Sequence, residues 1–264
     1  MKLKNTELHQ LCIAMVKLYG VIHSDEVFKL LKTYYPEIEK KDIMHYLRML
    51  DGKCRSDYFV ARITNERGKL FLVDSYIMDT TDTFVIQERN DKPLYIPKTV
   101  DELLKYRDYH YLTEAEIQIY NNFRTYAYKH LKIIDSKKKD FEIENFINYV
   151  HFNLKNGRIL IDKDFNNEIQ KALNVNGEKD LEYQKQLFSL IYFTKQYINK
   201  GYSQFELDLI SKGMLEVNNP KSKEKKTKSD DGSKLYYYEY KPSTIIPIRN
   251  SKNKQIKTEK KHTA

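Results

Sequence analysis

The chain has 264 residues, of which 41% are hydrophobic and 31% are charged, with two cysteines and no tryptophan. This apolar fraction can form a core, which excludes wholesale disorder, and two cysteines exclude a disulfide-dense scaffold or a four-cysteine zinc site. No apolar run approaches the roughly 18 residues of a membrane span, and the N-terminal segment is amphipathic, so we expect a cytoplasmic protein without a membrane partner or signal peptide.

The net charge of +9 is concentrated at one end of the chain. Residues 219–264 contain 12 Lys and one Arg against five acidic residues, a net charge of +8. Subtracting these from the 46 basic and 37 acidic residues of the chain leaves 33 basic and 32 acidic residues in residues 1–218, a net charge of +1. A nearly neutral body creates little long-range field, so attraction to nucleic acid must come from the tail or from a local patch.

The first 80 residues predict three helices followed by a hairpin. Apolar residues recur at spacings of three and four in each helical segment. The stripe of the third helix, from about residue 39 to residue 50, consists of Ile43, Tyr46, Leu47 and Leu50. Two segments rich in β-branched and aromatic residues, Tyr58–Ile63 and Leu70–Tyr76, flank a polar turn and predict the hairpin. Three helices and a hairpin, in this order, indicate a winged-helix-like module.

The second half predicts an all-helical bundle, so the predicted fold class is mainly α (α+β). Capping patterns open helices at Thr113–Glu116 and Ser203–Glu206, and a long helix is expected over about residues 180–200. Residues 221–234 contain no apolar side chain and cannot offset the entropy cost of ordering. The predicted domains are a winged-helix-like module at 1–80, a linker at 81–98, the helical bundle at 99–218 and a basic, largely disordered tail at 219–264.

Three places in the sequence carry a resemblance to a known family: Leu18–Val21 with Tyr34–Glu37, Tyr95–Pro97 with Glu102–Tyr106, and Asn199–Leu207. In them the chain resembles uncharacterised Firmicute proteins that carry a C-terminal SEC-C motif. The resemblance spans most of residues 1–218 and implies a binding role rather than a reaction. The SEC-C motif itself is a cysteine-rich zinc knuckle, whose cysteines are absent here. Cys12 lies on the apolar stripe of the first helix, Cys54 lies in a turn, and a lysine-rich tail replaces the zinc motif.

If the third helix buries its apolar stripe, its opposite face presents basic side chains to a partner. The candidate nucleic-acid-binding residues lie on that face or on the adjoining loops and are Lys41, His45, Arg48, Arg55, Arg67 and Lys69. In a winged helix the third helix enters the major groove while the hairpin contacts the backbone, and these residue types suit phosphate and base contacts. The alternative is a solvated helix face, because Glu39, Asp42 and Glu66 are close enough to cancel much of the charge.

The lysine run of the tail is a second candidate contact with a polyanion. Its members are Lys221, Lys223, Lys225, Lys226 and Lys228. Flexible lysines release counterions from nucleic acid without sequence preference. They would bind an acidic protein surface equally well, or they would only keep the protein soluble.

No catalytic signature occurs in the sequence: there is no glycine-rich phosphate loop, no G-x-S-x-G and no H-E-x-x-H. The acidic pairs Asp140/Glu142 and Asp162/Asp164 could bind magnesium, but helix capping accounts for them more simply. We therefore expect a non-enzymatic macromolecule-binding protein, a nucleic-acid-associated regulator, with no cofactor and no metal. The alternatives are a protein–protein adaptor or inhibitor, such as a bacterial phage or mobile element encodes, and a metal-dependent enzyme whose site assembles only in three dimensions. The sequence leaves the oligomeric state open.

Overall fold

The computed structural model describes residues 3–51, 56–62, 70–77, 91–132, 138–157 and 163–217. The described chain is mainly α, with one three-stranded antiparallel sheet, which confirms the predicted fold class. All of it belongs to a compact unit that spans residues 1–227. The predicted tail, residues 219–264, and residues 81–90 of the predicted linker lie outside the described residues.

The N-terminal module interleaves helices and strands. Its elements are α1 (Asn5–Tyr19), β1 (Val21–His23), α2 (Ser24–Tyr34), α3 (Lys40–Leu50), β2 (Tyr58–Arg62) and β3 (Leu70–Asp74). The helices form where apolar residues recur at helical spacing, and α1 ends at Gly20, whose φ of 71° is one that a side chain would disfavour. β2 and β3 pair antiparallel, which is the predicted hairpin.

The strand β1 is the element of this module that the sequence pattern did not predict. It pairs antiparallel with β3, with Val21 opposite Val73 and His23 opposite Phe71, so the sheet order is β1-β3-β2. Three residues are too few for the alternation of a strand to show in the sequence. With β1 included, the elements of the module run α1-β1-α2-α3-β2-β3 and its sheet has the order β1-β3-β2.

The second half of the chain is helical. Its elements are α4 (Val100–Lys105), α5 (Glu114–His130), α6 (Lys139–Lys155), α7 (Lys163–Leu173), α8 (Leu181–Phe193), a 3-10 helix (Tyr197–Asn199) and α9 (Gln204–Ser211). No strand occurs in the described part of residues 91–217. The hydroxyls of Thr113 and Ser203 close the predicted capping boxes with Glu116 and Glu206.

The predicted long helix over residues 180–200 is wrong in its extent, because α8 ends at Phe193. Thr194 is extended with a ψ of 134°, and Lys200 is left-handed with a φ of 49°, so neither residue continues a helix. Residues 194–203 are buried, except that Ile198 is half-buried. We call these residues the 194–203 segment. The prediction failed because apolar residues continue at helical spacing to Ile198. In the structure, polar groups of this segment instead bond to residues that lie far away in sequence.

The buried apolar residues form two large cores and a smaller cluster that contains Tyr197. The first is built from α1–α3 and the sheet, and it also contains Leu103 and Tyr106 from the region of α4. The second joins α5–α8 around residues such as Phe123 and Leu190. Tyr197 of the 194–203 segment packs on the outer face of the sheet. The module is therefore attached to the helical half through α4 and through Tyr197.

Candidate nucleic-acid interface

Helix α3 buries the face that its apolar period predicts and exposes the other. Its buried residues are Ile43, Tyr46, Leu47 and Leu50. Lys41, His45 and Arg48 are exposed, at positions i, i+4 and i+7 of one face. Met49, next to Arg48, is 41% exposed and adds an apolar contact to this face. Cationic, imidazole and thioether side chains together suit phosphate oxygens and base edges.

Ion pairs at the start of α3 offset part of this charge. Lys41 Nζ lies 2.5 Å from Glu39 Oε2, and this hydrogen bond raises the pKa of Lys41. Lys40 Nζ lies 2.7 Å from Asp25 Oδ1. Because water screens exposed pairs of this kind, they contribute little stability, and a phosphate can take the place of the carboxylate. Arg48 forms no ion pair with another described residue.

The other half of the predicted interface lies outside the described residues. This applies to Arg55, Arg67 and Lys69, to Glu66, and to the tail residues Lys221, Lys223, Lys225, Lys226 and Lys228. The strands that flank the predicted hairpin turn are described, and Arg62 pairs with Leu70 at their ends. The structure therefore brings together Lys41, His45 and Arg48, while the remaining candidates stay predictions from sequence.

A buried ion pair that the sequence reasoning missed joins α1 to the sheet. Lys17 Nζ lies 3.0 Å from Asp74 Oδ1, with the two side chains 5% and 0% exposed. The hydroxyl of Tyr197 donates to Asp74 Oδ2 at 3.2 Å, and the backbone N–H of Tyr76 donates to Oδ1 at 3.0 Å. Burial raises the pKa of Asp74 although Lys17 acts to lower it. The signal was present in the sequence, since Asp74 directly follows an apolar run.

A second buried cation, Lys195, organises the 194–203 segment. Its Nζ lies 2.9 Å from Glu206 Oε1 and 3.4 Å from the ring centroid of Tyr95, and it donates to the carbonyl of Gly201 at 3.2 Å. Its backbone N–H donates to Glu116 Oε1 at 2.9 Å. These contacts tie the segment to α5, α9 and the extended chain before α4.

The segment also reaches the N-terminal module. Lys200 Nζ lies 3.0 Å from Glu26 Oε1 of α2, and the carbonyl of Lys200 accepts from the backbone N–H of Tyr95 at 3.1 Å. Lys92 Nζ donates to Asn199 Oδ1 at 3.0 Å. Asn199–Leu207 is the sequence that carries part of the family resemblance, and its described contacts are structural ones between elements of the fold.

Lys155, at the end of α6, is a third buried cation. It is 2% exposed and forms no ion pair with a described residue, and its Nζ lies 5.0 Å from the ring centroid of Tyr109 and 5.8 Å from that of Tyr197. Burial lowers the pKa of Lys155 to about 8, although Glu116 acts to raise it. Burial also lowers the pKa of His151, one turn earlier. Shifts of this kind occur in active sites, but a substrate would have to reach an almost inaccessible amine.

The described residues were searched for pockets and for clusters of metal ligands. A depression of about 420 Å³ is lined by residues such as Gln10, Asp57 and Arg107, and Lys155 is not among them. No three His, Cys, Asp or Glu side chains of the described chain converge as metal ligands would. Asp140 and Glu142 lie in the first turn of α6, where the helix dipole favours acids.

Of the remaining candidate ligands, the structure describes Asp164 and Cys12. Asp164 lies in the first turn of α7, whereas its predicted partner Asp162 lies outside the described residues. Cys12 is buried in the first core, and Cys54 lies outside the described residues. Among the described helices, none combines the length and the apolar character that crossing a bilayer requires.

The chain was compared with family models, curated proteins and solved structures, and none of them matches. The likeness to SEC-C motif proteins therefore stays a prediction from the residues that carry it. The function is inferred from the exposed face of α3 and from the module that presents it.

Proposed function

We propose that the protein is a non-enzymatic nucleic-acid-binding regulator whose helix α3 enters the major groove of duplex DNA. The observation that carries the proposal is the exposed face with Lys41, His45 and Arg48 on a helix whose opposite face is buried. α3 follows α2 directly, and the second helix of such a pair is the one that reads the groove. The guanidinium of an arginine such as Arg48 can donate two hydrogen bonds to guanine, and Lys41 suits a phosphate.

The charge distribution supports different roles for the tail and for the N-terminal module in DNA binding. The body carries a net charge of +1 and residues 219–264 carry +8. Under this proposal the tail lysines supply attraction that depends on salt and not on sequence. The face of α3 supplies orientation and base contacts. Glutamine at Lys221, Lys223, Lys225, Lys226 and Lys228 would therefore weaken binding to all DNA sequences alike.

The proposal is tested by gel shift with the full chain on a mixed-sequence duplex at low salt. The variant Lys41→Glu plus Arg48→Glu reverses two charges on α3, and Lys171→Glu plus Lys179→Glu reverses two exposed charges on the helical half. Because each lost contact costs about 1–3 kcal/mol, the α3 variant is expected to lose at least about tenfold in affinity. The control variant is expected to bind like the wild type. Equal affinity of the two variants would reject the assignment of α3.

The second candidate function is a protein–protein adaptor or inhibitor. It is favoured by the near-neutral body and by exposed aromatic residues on α8, such as Phe188, which is 64% exposed. A pull-down with the full chain from nuclease-treated lysate separates the candidates. Retention of one defined protein, together with no gel shift at low salt, would support the adaptor and reject DNA binding.

A further inference from the structure

Lys155 is a buried cation for which the described residues supply no partner. Its side chain is 2% exposed, and its Nζ forms neither a hydrogen bond nor an ion pair with a described residue. The amine lies 5.0 Å from the ring centroid of Tyr109 and 5.8 Å from that of Tyr197. Lys155 belongs to the last turn of α6, where the helix dipole favours a positive charge. Because a buried charge is normally paired, this ammonium calls for an anion.

Two other buried polar atoms of this region also lack a hydrogen-bond partner among the described residues. They are the hydroxyl of Tyr109 and Oδ1 of Asn156, the residue that follows Lys155. Burial raises the pKa of Tyr109, and Asn156 is close enough to act on it, although the two side chains form no hydrogen bond. Buried polar atoms seldom stay unsatisfied, so three in one region indicate a ligand that satisfies them. We call Lys155, Tyr109 and Asn156 the unpaired cluster.

The charges closest to the unpaired cluster leave an excess of positive charge. Lys17 Nζ lies 5.2 Å from the ring centroid of Tyr109, so two ammonium groups contact this ring. The carboxylate of Asp74 already pairs with Lys17 at 3.0 Å. Beyond ion-pair distance, the carboxylates that act on Lys155 also include those of Glu116 and Asp108. Burial lowers the pKa of Lys155 to about 8, so the amine still carries its proton in most molecules at pH 7.

The side chain of Tyr76 gives this region a route to solvent. Its ring lies 5.8 Å from the ring of Tyr109, 6.0 Å from that of Phe152 and 4.7 Å from Lys17 Nζ, yet Tyr76 is 66% exposed. The backbone N–H of Tyr76 is fixed by Asp74, whereas its ring is held only by these weak aromatic and cation–π contacts. Exposed side chains change rotamer within nanoseconds, so rotation of this ring can admit a small ligand.

We propose that the unpaired cluster binds inorganic phosphate. The ammonium of Lys155 and the hydroxyl of Tyr109 would donate to phosphate oxygens. Asn156 Oδ1 only accepts, so it requires a donor, which the P–OH group of phosphate supplies. A sulfate ion has the same tetrahedral shape but no proton at neutral pH, and a phosphate monoester has mostly lost its proton above its second pKa of about 6. The combination of donors with one acceptor therefore favours inorganic phosphate over both.

Isothermal titration calorimetry of the full chain with inorganic phosphate at pH 7 tests the site. We expect one saturable site per chain with a Kd on the order of millimolar or tighter. Lys155→Met and Tyr109→Phe each remove one donor and should bind at least about tenfold more weakly. Lys171→Met removes an exposed lysine and should bind like the wild type. The basic tail is the same in every variant, so its weak attraction for phosphate cancels in the comparison.

A wild type without a saturable site would overturn the proposal, and so would a Lys155→Met variant that is folded by thermal unfolding and binds like the wild type.

Titration with sodium sulfate and with glycerol 3-phosphate tests why the ligand is inorganic phosphate. The wild type should bind each of them at least about tenfold more weakly than inorganic phosphate, because neither supplies a proton to Asn156 Oδ1 at pH 7. Asn156→Ala removes this acceptor and should bind phosphate and sulfate about equally. A wild type that binds sulfate or the monoester as tightly as inorganic phosphate would overturn the assignment. These titrations contain no DNA, so this inference and the proposed function fail independently.

Discussion

Lys17 and Asp74 form an ion pair of 3.0 Å in which neither side chain is more than 5% exposed. Burial raises the pKa of Asp74 in spite of its lysine partner, so desolvation outweighs the attraction between the two charges. The pair therefore fixes the position of α1 against β3 but adds little net stability to the fold. It holds α1 to β3 and, through Tyr197, holds both to the 194–203 segment.

Removing one partner of this pair should cost much more than removing both. Lys17→Met leaves a buried carboxylate unpaired and Asp74→Asn leaves a buried ammonium, so each should lower the free energy of unfolding by about 3–5 kcal/mol. The double variant should recover most of that loss, because no unpaired charge is left and the substituted amide still accepts a hydrogen bond from Tyr76 or Tyr197. Urea unfolding of the four proteins measures the coupling. If the two losses simply add in the double variant, the pair is not coupled as the structure indicates.

Lys155 should make the stability of the protein depend on pH. The unfolded lysine keeps its proton up to a pKa of 10.5, whereas burial lowers the pKa in the folded state to about 8. Between these values the unfolded state binds more protons, so stability rises with pH. The charged amine costs the folded protein ~3 kcal/mol at pH 7.

Replacement of Lys155 by Met should therefore stabilise the protein at pH 7. The advantage over the wild type should shrink by ~3 kcal/mol as the pH rises from 8 to 10.5, because the wild-type amine becomes neutral. Urea unfolding at several pH values measures the difference in free energy of unfolding between Lys155→Met and the wild type. Titrating groups that both proteins share contribute equally to the two values and cancel in the difference. Lys171→Met is the control for loss of a lysine at an exposed position, where a substitution should change the free energy of unfolding by less than about 0.5 kcal/mol. An unchanging difference for Lys155→Met would show that this lysine is not buried as described.

Gly20 should tolerate a methyl group less well than Gly213. Both have a left-handed φ, 71° and 68° respectively. A Cβ at Gly20 would collide with the ring of Tyr197 and would lie 2.6 Å from Ile77 Cδ1, whereas a Cβ at Gly213 has no neighbour within 4 Å. Gly20→Ala should therefore lower the free energy of unfolding by about 2–5 kcal/mol, and Gly213→Ala by about 1–2 kcal/mol. Equal losses in thermal or urea unfolding would contradict the close approach of Tyr197 to Gly20.

The sequence predicted features that depend on neighbouring residues. The exposed face of α3 followed from the spacing of Ile43, Leu47 and Leu50, and the capping box at Thr113 was visible because both of its partners lie within one helical turn. The hairpin strands were visible through their β-branched and aromatic composition. Each of these features depends on residues that are close in sequence, so one sequence is enough to predict it.

Features that depend on distant residues could not be predicted in this way. No sequence pattern marked Lys17, Lys155 and Lys195 as buried, because each has a contact that lies far away in sequence. The strand β1 owes its existence to pairing with β3, some fifty residues later. The sequence did not predict the end of α8, because apolar residues continue at helical spacing past Phe193. Long-range contacts of the 194–203 segment determine the path of the chain after this residue.

The salt dependence of DNA affinity tests most directly whether α3 contacts the duplex. Fluorescence anisotropy of the full chain on a labelled duplex gives the slope of log affinity against log salt for the wild type, for Lys41→Gln plus Arg48→Gln, and for Lys171→Gln plus Lys179→Gln. Each phosphate contact contributes about 0.9 to the slope on B-form DNA, so loss of two contacts should make the α3 slope shallower by up to about 2. The control slope should equal that of the wild type. Three parallel lines would show that α3 does not contact DNA.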